Sequence, residues 1–177
     1  MKLIRDFLTS CSVCFIFLAV VMIPQGTFAA EAESVIFLAR HAEKTDESHD
    51  PQLSGTGRQR ASELAQLLRD AGIEHIHSTD FSRTKDTAAP LAELLGLDIE
   101  LYDWNESEVF AQLLKQGGQR HLVIGHSNTT TELVTLLGGD AGAAIDDSGE
   151  YDRLYILTID GKGRVSSVLL RYGDVFR

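Results

Sequence analysis

The chain has 177 residues, a length that fits one domain, and 44% of them are hydrophobic, enough to fill a single core. Twenty-six acidic residues against sixteen basic ones give a net charge of −10. No basic cluster or aromatic-rich basic stripe interrupts that balance, so nucleic acid is excluded as a general partner.

The N-terminus has the layout of a targeting segment. Lys2 and Arg5 form a weakly positive start, an apolar core follows and is clearest over Val13–Ile23, and Pro24, Gln25 and Gly26 break it before the small residues Thr27, Ala29 and Ala30. This predicts a secretory signal peptide over 1–29, cut after Ala29 or, as second choice, after Ala32. The rival reading is an uncleaved N-terminal anchor, and the continuous run is short for a full span. Leu8-Thr9-Ser10-Cys11 has the look of a lipoprotein signal, but its apolar core follows the cysteine instead of preceding it. Cys11 and Cys14 both fall in this segment, so residues 30–177 contain no cysteine, which excludes a structural disulfide and a thiolate nucleophile there. Lys2, Arg5 and Asp6 together carry +1, leaving a processed chain at about −11. The expected location is periplasmic or secreted.

Beyond the leader, apolar runs alternate with helical patterns. Val35–Ala39 reads as a short buried strand. Ala61, Leu64, Ala65 and Leu68 have amphipathic spacing, predicting a helix over roughly 56–70 with Ser54 as N-cap and Gly72 as stop. Glu74–Ser78 reads as a second strand. Ala88, Leu91, Ala92 and Leu95 repeat the helical spacing up to Gly96, and Asp98–Tyr102 gives a third strand. Phe110, Leu113 and Leu114 mark a helix closing at Gly117-Gly118, and His121–Gly125 a fourth strand. Thr130, Leu133, Val134 and Leu137 form a helix stopped by Gly138-Gly139. Arg153–Ile159 and Arg164–Arg171 are strands joined by Asp160-Gly161-Lys162-Gly163, which is hairpin chemistry. Repeated strand–helix units predict a three-layer α/β fold: a mostly parallel central sheet, helices on both faces and an antiparallel edge hairpin. Gly138–Glu150 reads as a mobile loop, either functional or disordered.

In open α/β sheets, ligands bind beyond the carboxyl ends of the strands. After the first strand come Arg40 and His41. Ser78, Asp80, Ser82 and Arg83 follow the second, and Asp103, Asn105 and Glu106 the third. His126, Ser127 and Asn128 follow the fourth. This set suits phosphoryl transfer. Guanidinium forks hold phosphoryl oxygens bidentately and stay charged. A neutral imidazole kept so by nearby cations attacks phosphorus, and a second imidazole donates to the oxygens as charge develops. A carboxylic acid is then needed to protonate the leaving alkoxide and to activate water afterwards. Arg83 also opens a helix, where N–H groups favour an anion.

Leu38-Ala39-Arg40-His41-Ala42-Glu43 resembles the Arg-His-Gly motif of the histidine phosphatase superfamily, which includes cofactor-dependent phosphoglycerate mutases and many small phosphatases. The segment from Ser78 through Arg83 to Thr87-Ala88 resembles that family's second-arginine segment, and Val123-Ile124-Gly125-His126-Ser127-Asn128 its second-histidine strand. Leu53-Ser54-x-x-Gly57 and the helix after it also match. The resemblance runs in order through 30–177. It implies that His41 is phosphorylated during turnover, that Arg40, Arg83 and His126 form the phosphate pocket with Ser127 and Asn128 beside it, and that neither metal nor organic cofactor is used. Two positions depart from the pattern. Ala42 replaces the usual glycine. The acid in the mutase-like branch is a glutamate after the third strand; Glu106 is the nearest positional match, with Asp103, Glu108 and Glu43 as alternatives.

The other polar residues have plainer readings beside the functional ones. His75 and His77 alternate on a strand and could pair on a metal, though such pairs are more often half-exposed. His49 and His121 have no partner pattern and read as surface residues. Gly55-Thr56-Gly57 reads as a helix entry and not a phosphate loop. Trp104 and Tyr102 either line a pocket or pack on the third helix, with packing the first expectation. Lys44 adds positive charge to the rim or is simply solvated. Asp146, Asp147, Glu150 and Asp152 either keep anions away from all but the arginine pocket or form an ordinary acidic loop. The expected function is a metal-independent phosphomonoesterase of the cell envelope acting on a small-molecule phosphate ester, with membrane contact only through an uncleaved N-terminus. The alternatives are a phosphate-ester binding module of the same fold and a metal-binding protein using His75 and His77.

Overall fold

A computed structural model of the protein describes residues 33–174, so the segment read as signal peptide or anchor lies outside the described residues. Among the described residues no helix is long and apolar enough to cross a membrane. The chain runs β1 (Ser34–Arg40), α1 (Gly55–Leu68), β2 (His75–Ser78), α2 (Ser82–Leu95) and β3 (Ile99–Leu101). It continues through a 3₁₀ turn (Trp104–Glu106) into α3 (Ser107–Leu114), β4 (Arg120–Gly125), α4 (Ser127–Leu136), β5 (Arg153–Ile159) and β6 (Val165–Arg171). The strands form one sheet in the order β3-β2-β4-β1-β5-β6. β3, β2, β4 and β1 are parallel, while β5 and β6 run antiparallel at one side. This is the expected mostly parallel sheet with an antiparallel edge hairpin.

β1 explains the layering. All seven of its residues are buried, because it lies inside the sheet with a core on each face. Val35, Phe37 and Ala39 join Leu64, Leu68 and Leu91 on the α1/α2 side. Ile36 and Leu38 join Phe110, Leu114 and Leu133 on the α3/α4 side. A strand buried on both faces shows a continuous apolar run and not an alternation, as Val35–Ala39 does. The helix ends behave as their sequences predict. Ser54 Oγ accepts from Gly57 N at 3.1 Å, and Gly96 ends α2 in the left-handed region at φ 67°.

The stretch 138–150 differs from the expected mobile loop. It has little regular structure, but a buried ion pair ties it down: Arg153 Nε donates to Glu150 Oε1 at 2.7 Å, and its Nη groups donate to the Ala143 and Ala144 carbonyls. Asp146 N donates to Glu150 Oε2 at 2.9 Å, and Arg171 reaches both Glu150 and Asp152. Glu150 and Asp152 are therefore buried structural groups and not an acidic rim. Against the opposing effect of burial, the bonds from Arg153, Asp146 N and Arg171 hold the Glu150 carboxyl at about 2.

Candidate active site

The register of the sheet brings the strand ends together. Arg40 lies opposite Gly125, and His41 N extends the ladder by donating to Gly125 O at 2.9 Å, so His41 and His126 leave adjacent strands side by side. Gly125 is needed at that crossing. A Cβ there would lie 3.0 Å from both the Thr129 and Tyr102 hydroxyl oxygens. The two imidazoles meet edge-on with centroids 5.5 Å apart, and Tyr151 lies 5.9 Å from His41.

His41 is 4% exposed, and its Nδ1–H donates to its neighbour's carbonyl, Ala42 O, at 2.8 Å. Because a carbonyl only accepts, the hydrogen is on Nδ1 and the lone pair is on Nε2. Burial, reinforced by the charges of Arg40 and Arg83, lowers the His41 pKa to about 3, so the ring is neutral at physiological pH. His126 is held at about 4 by burial and then by Arg83 and Arg40. Its Nε2 lies 3.1 Å from Thr79 Oγ1, and Thr79 lies 3.0 Å from Thr84 Oγ1. Thr84 uses its own hydrogen on a carbonyl, Thr79 O or Phe81 O. Thr79 therefore donates to Thr84 and accepts from His126 Nε2–H. That leaves the His126 Nδ1 lone pair facing Arg83 Nη2 at 3.5 Å.

Arg40 is 2% exposed and stacks on Tyr151 with its guanidinium carbon 4.0 Å from the ring centre. Three of its N–H groups donate to the carbonyls of Asp146, Asp147 and Glu150, and a fourth to the Asp147 carboxylate at 2.6 Å. Arg83, at the start of α2, lies over the Phe81 ring and donates to His49 O at 3.3 Å. α2 has no cap of its own, since Phe81 occupies the N-cap position. Asp50 serves instead, its carboxylate accepting from Ser82 N at 2.8 Å and Ser82 Oγ at 2.9 Å while lying 3.9 Å from Arg83.

Two contacts fix the separate motifs against each other. Thr87 Oγ1 donates to Arg83 O at 2.7 Å and accepts from Ala42 N at 3.0 Å, joining α2 to the turn after β1. Gly57 lets α1 approach the same turn: a Cβ there would lie 2.1 Å from Glu43 O. The Ala42 methyl is fully buried with Leu53 and Ala61, so the alanine in place of glycine contributes to a small core of its own.

Phe81, Arg83, Trp104, His126, Asn128 and Thr129 line a hollow beside these groups. Trp104 is thus a wall residue, 43% exposed, and not packed on α3; Tyr102 is the one that packs, stacked on Phe110 at 4.2 Å. Ser127 Oγ donates to Asp147 Oδ1 at 2.8 Å. Glu106 ends the 3₁₀ turn that begins with Trp104, and it lines the neighbouring cleft with His77, Asp103 and Phe110. Among the alternative acids, Glu43 is engaged by Arg60 Nε at 2.9 and 3.0 Å, and Asp103 caps the 3₁₀ turn by accepting from Asn105 N. Glu108 lies in the first turn of α3. Lys44 pairs with Glu47.

The other histidines form a second cluster. His77 Nε2 and His121 Nδ1 are 3.0 Å apart, the His75 ring stacks on both, and His75 Nδ1 meets Glu100 Oε1 at 2.7 Å. His121 is 1% exposed and not a surface residue, because β2 and β4 are neighbours and its ring stacks on those of His75 and His77. Among the described residues no three His, Cys, Asp or Glu side chains are set to hold a metal ion.

Residues 36–106 match the sequence model of the histidine phosphatase superfamily (branch 1). Over that stretch, about two-fifths of the chain, the protein is similar to the histidine phosphatase superfamily. It is 29% identical over 130 residues to a Salmonella paratyphi A protein named "Probable phosphoglycerate mutase GpmB", a match covering 63% of this chain and 58% of the relative. A Salmonella arizonae protein of the same name is 35% identical over 71 residues, covering 36% of this chain and 33% of that one. The chain thus spans between a third and three-fifths of these relatives. Among solved structures, the protein histidine phosphatase SixA complexed with tungstate superposes with a TM-score of 0.63 at 19% identity, covering 77% of this chain and 96% of that one. Phosphoserine phosphatase of Entamoeba histolytica in complex with 3-phosphoglyceric acid gives 0.59 at 15% identity, covering 78% and 97%. These structural likenesses establish the histidine phosphatase fold.

Proposed function

We propose that the protein is a metal-independent phosphomonoesterase that works through a phosphohistidine on His41 and acts in the cell envelope on a small-molecule phosphate ester. The observation that carries this reading is the His41 tautomer: a buried neutral imidazole, its Nδ1–H committed to Ala42 O, with the Nε2 lone pair free among Arg40, Arg83 and His126. In the first step the Nε2–P bond forms and the ester P–O bond breaks. In the second, water attacks phosphorus and the P–N bond breaks. Arg40 and Arg83 hold the phosphoryl oxygens, with Ser127 and Asn128 at the rim. A bound dianion raises the pKa of His126 from its low resting value, and the Nδ1–H so gained donates to a phosphoryl oxygen. The leaving oxygen needs a proton from a carboxyl group, a role the sequence reading gives to Glu106.

The envelope location is supported by the N-terminal sequence pattern alone. The substrate class is supported by the fold neighbours, one complexed with tungstate and another with 3-phosphoglyceric acid. The test is hydrolysis of an aryl phosphate by the protein and by His41→Ala, each with EDTA. The expected result is turnover that survives EDTA and disappears in the variant. Equal rates in the two proteins would remove His41 from the mechanism. Phosphate binding without turnover would indicate a binding module.

A further inference from the structure

We propose that Asp147 is the proton donor of this site: it holds the phosphate edge of Arg40 in the free protein and, once displaced by the ester, protonates the leaving oxygen. The inference rests on the phosphomonoesterase reading above. It begins from the five N–H hydrogens of Arg40. Nη1 donates to Asp146 O at 3.2 Å and Glu150 O at 3.1 Å, and one hydrogen of Nη2 to Asp147 O at 3.0 Å. These carbonyl bonds lock the guanidinium to a loop that Glu150 and Arg153 hold in place. The remaining two hydrogens, on Nε and Nη2, form the side-on edge of the fork, the edge that takes two oxygens of one phosphoryl group. Nε is buried and has no hydrogen-bond partner among the described residues, while Nη2 is on Asp147 Oδ1 at 2.6 Å. The Asp147 side chain is 75% exposed, so it is the exchangeable member of the set.

A phosphoryl dianion can take both hydrogens of that edge only by displacing Asp147 Oδ1. The displaced carboxylate keeps Ser127 Oγ, loses its guanidinium and gains an anion as neighbour; the last two changes favour its protonated form. The charged and titratable groups that act on it are Arg40 on β1, His41 and Lys44 just after it, Arg83 on α2 and His126 before α4. In the free protein the Ser127 hydrogen bond and the Arg40 and Lys44 charges keep its carboxyl below the usual range. Ester binding thus takes up a proton at the place where one is needed. When the His41 Nε2–P bond forms and the P–O bond breaks, Asp147 gives that proton to the leaving oxygen. When water then attacks the phosphohistidine, the P–N bond breaks and the carboxylate takes a proton from the water; as phosphate leaves, Asp147 returns that proton to solvent and pairs with Arg40 again.

The test compares an aryl phosphate, whose leaving group needs little proton donation, with an alkyl phosphate, which needs much. For Asp147→Asn the expected kcat/KM loss is about 10²- to 10⁴-fold on the alkyl ester and no more than about a few-fold on the aryl ester. Retained aryl turnover also shows that the variant is folded. Glu106→Gln, and Asp146→Asn on the same loop, are expected to change both esters alike. Calorimetry of vanadate binding in buffers of different ionisation enthalpy should find more proton uptake in the parent than in Asp147→Asn, where His126 alone gains a proton. Equal effects of Asp147→Asn on the two esters, or a leaving-group-dependent loss in Glu106→Gln instead, would overturn the assignment. Undiminished aryl turnover in His41→Ala would overturn the phosphohistidine reading itself, whatever Asp147→Asn does.

Discussion

The protein buries two groups of histidines in one sheet. His41 and His126 lie at the carboxyl ends of β1 and β4, whereas His75 and His77 lie within β2 and His121 near the amino end of β4. Both groups contain close imidazoles, and burial holds His77 at about 4 just as it holds His126. A depressed histidine pKa therefore does not mark the chemistry. The difference is in what surrounds the rings. His77 and His121 spend nitrogens on each other, and the nearby charge is the Glu100 carboxylate. His41 keeps Nε2 free, its neighbours are two guanidinium groups, and the hollow beside it opens to solvent past Trp104. Perturbed titration nominates a site, and His121 Nε2 is likewise buried without a hydrogen-bond partner among the described residues, so the guanidinium neighbours and the opening to solvent decide between the two candidates.

The largest expected effect separates the two groups. His41→Ala should lower turnover of an aryl phosphate by about 10⁴-fold or more, as loss of a nucleophile does. The double variant His77→Leu/His121→Leu removes both partners of the buried pair together, orphaning neither, and should leave kcat/KM within about twofold in the same assay. Loss of activity in the double variant would break the comparison by tying the second cluster to catalysis. Next in size is Arg83→Ala, which removes one arm of the proposed oxyanion clamp and should cost about 10²- to 10³-fold in kcat/KM.

A pH series sharpens the same contrast. His41, His77 and His126 have folded-state values of about 3, 4 and 4 against an ordinary 6.5, so between those values the unfolded chain binds more protons than the folded one. Their contribution to stability is complete above pH 6.5 and is lost as the pH falls toward 4 and then 3. Thermal melts should show Tm dropping across that window, and dropping less in His77→Leu/His121→Leu, which lacks His77 and also His121, whose pKa burial lowers too. Identical acid profiles for parent and double variant would mean that the second cluster does not contribute to acid unfolding.

The fold was legible because its signals are local. The Val35–Ala39 run, the spacing of Leu64 and Leu68, and the glycines at 72 and 96 each report on their own neighbourhood, and the strand-end rule then gathers Arg40, His41, Arg83 and His126 at one edge. The contacts that were not legible join residues distant in sequence. Asp50 caps a helix that starts at Ser82, Asp147 reaches Arg40, and His121 finds His77 across two strands. Only the first left a trace in the sequence, since a helix starting after Phe81 lacks a cap and must borrow one. Trp104 was misread for a related reason: Tyr102, two residues earlier, already fills the place on Phe110.

The smallest of these effects concerns how the motifs are held together. Thr87 is buried between Arg83 O, to which it donates, and Ala42 N, from which it accepts, so one hydroxyl sets the turn carrying His41 against the helix carrying Arg83. Thr87→Val has nearly the same shape but leaves the Ala42 N–H buried without an acceptor, which should cost about 1–3 kcal/mol of stability. Thr87→Ser restores the hydroxyl and should recover most of that loss. The second cluster, which does not touch Thr87, should titrate unchanged in both variants by imidazole NMR, while the His41 and His126 signals shift in Thr87→Val alone. A valine variant that melts with the parent would mean that the backbone around Ala42 holds the turn without help from α2, and that the shared threonine is packing and not a brace between the two halves of the proposed phosphate pocket.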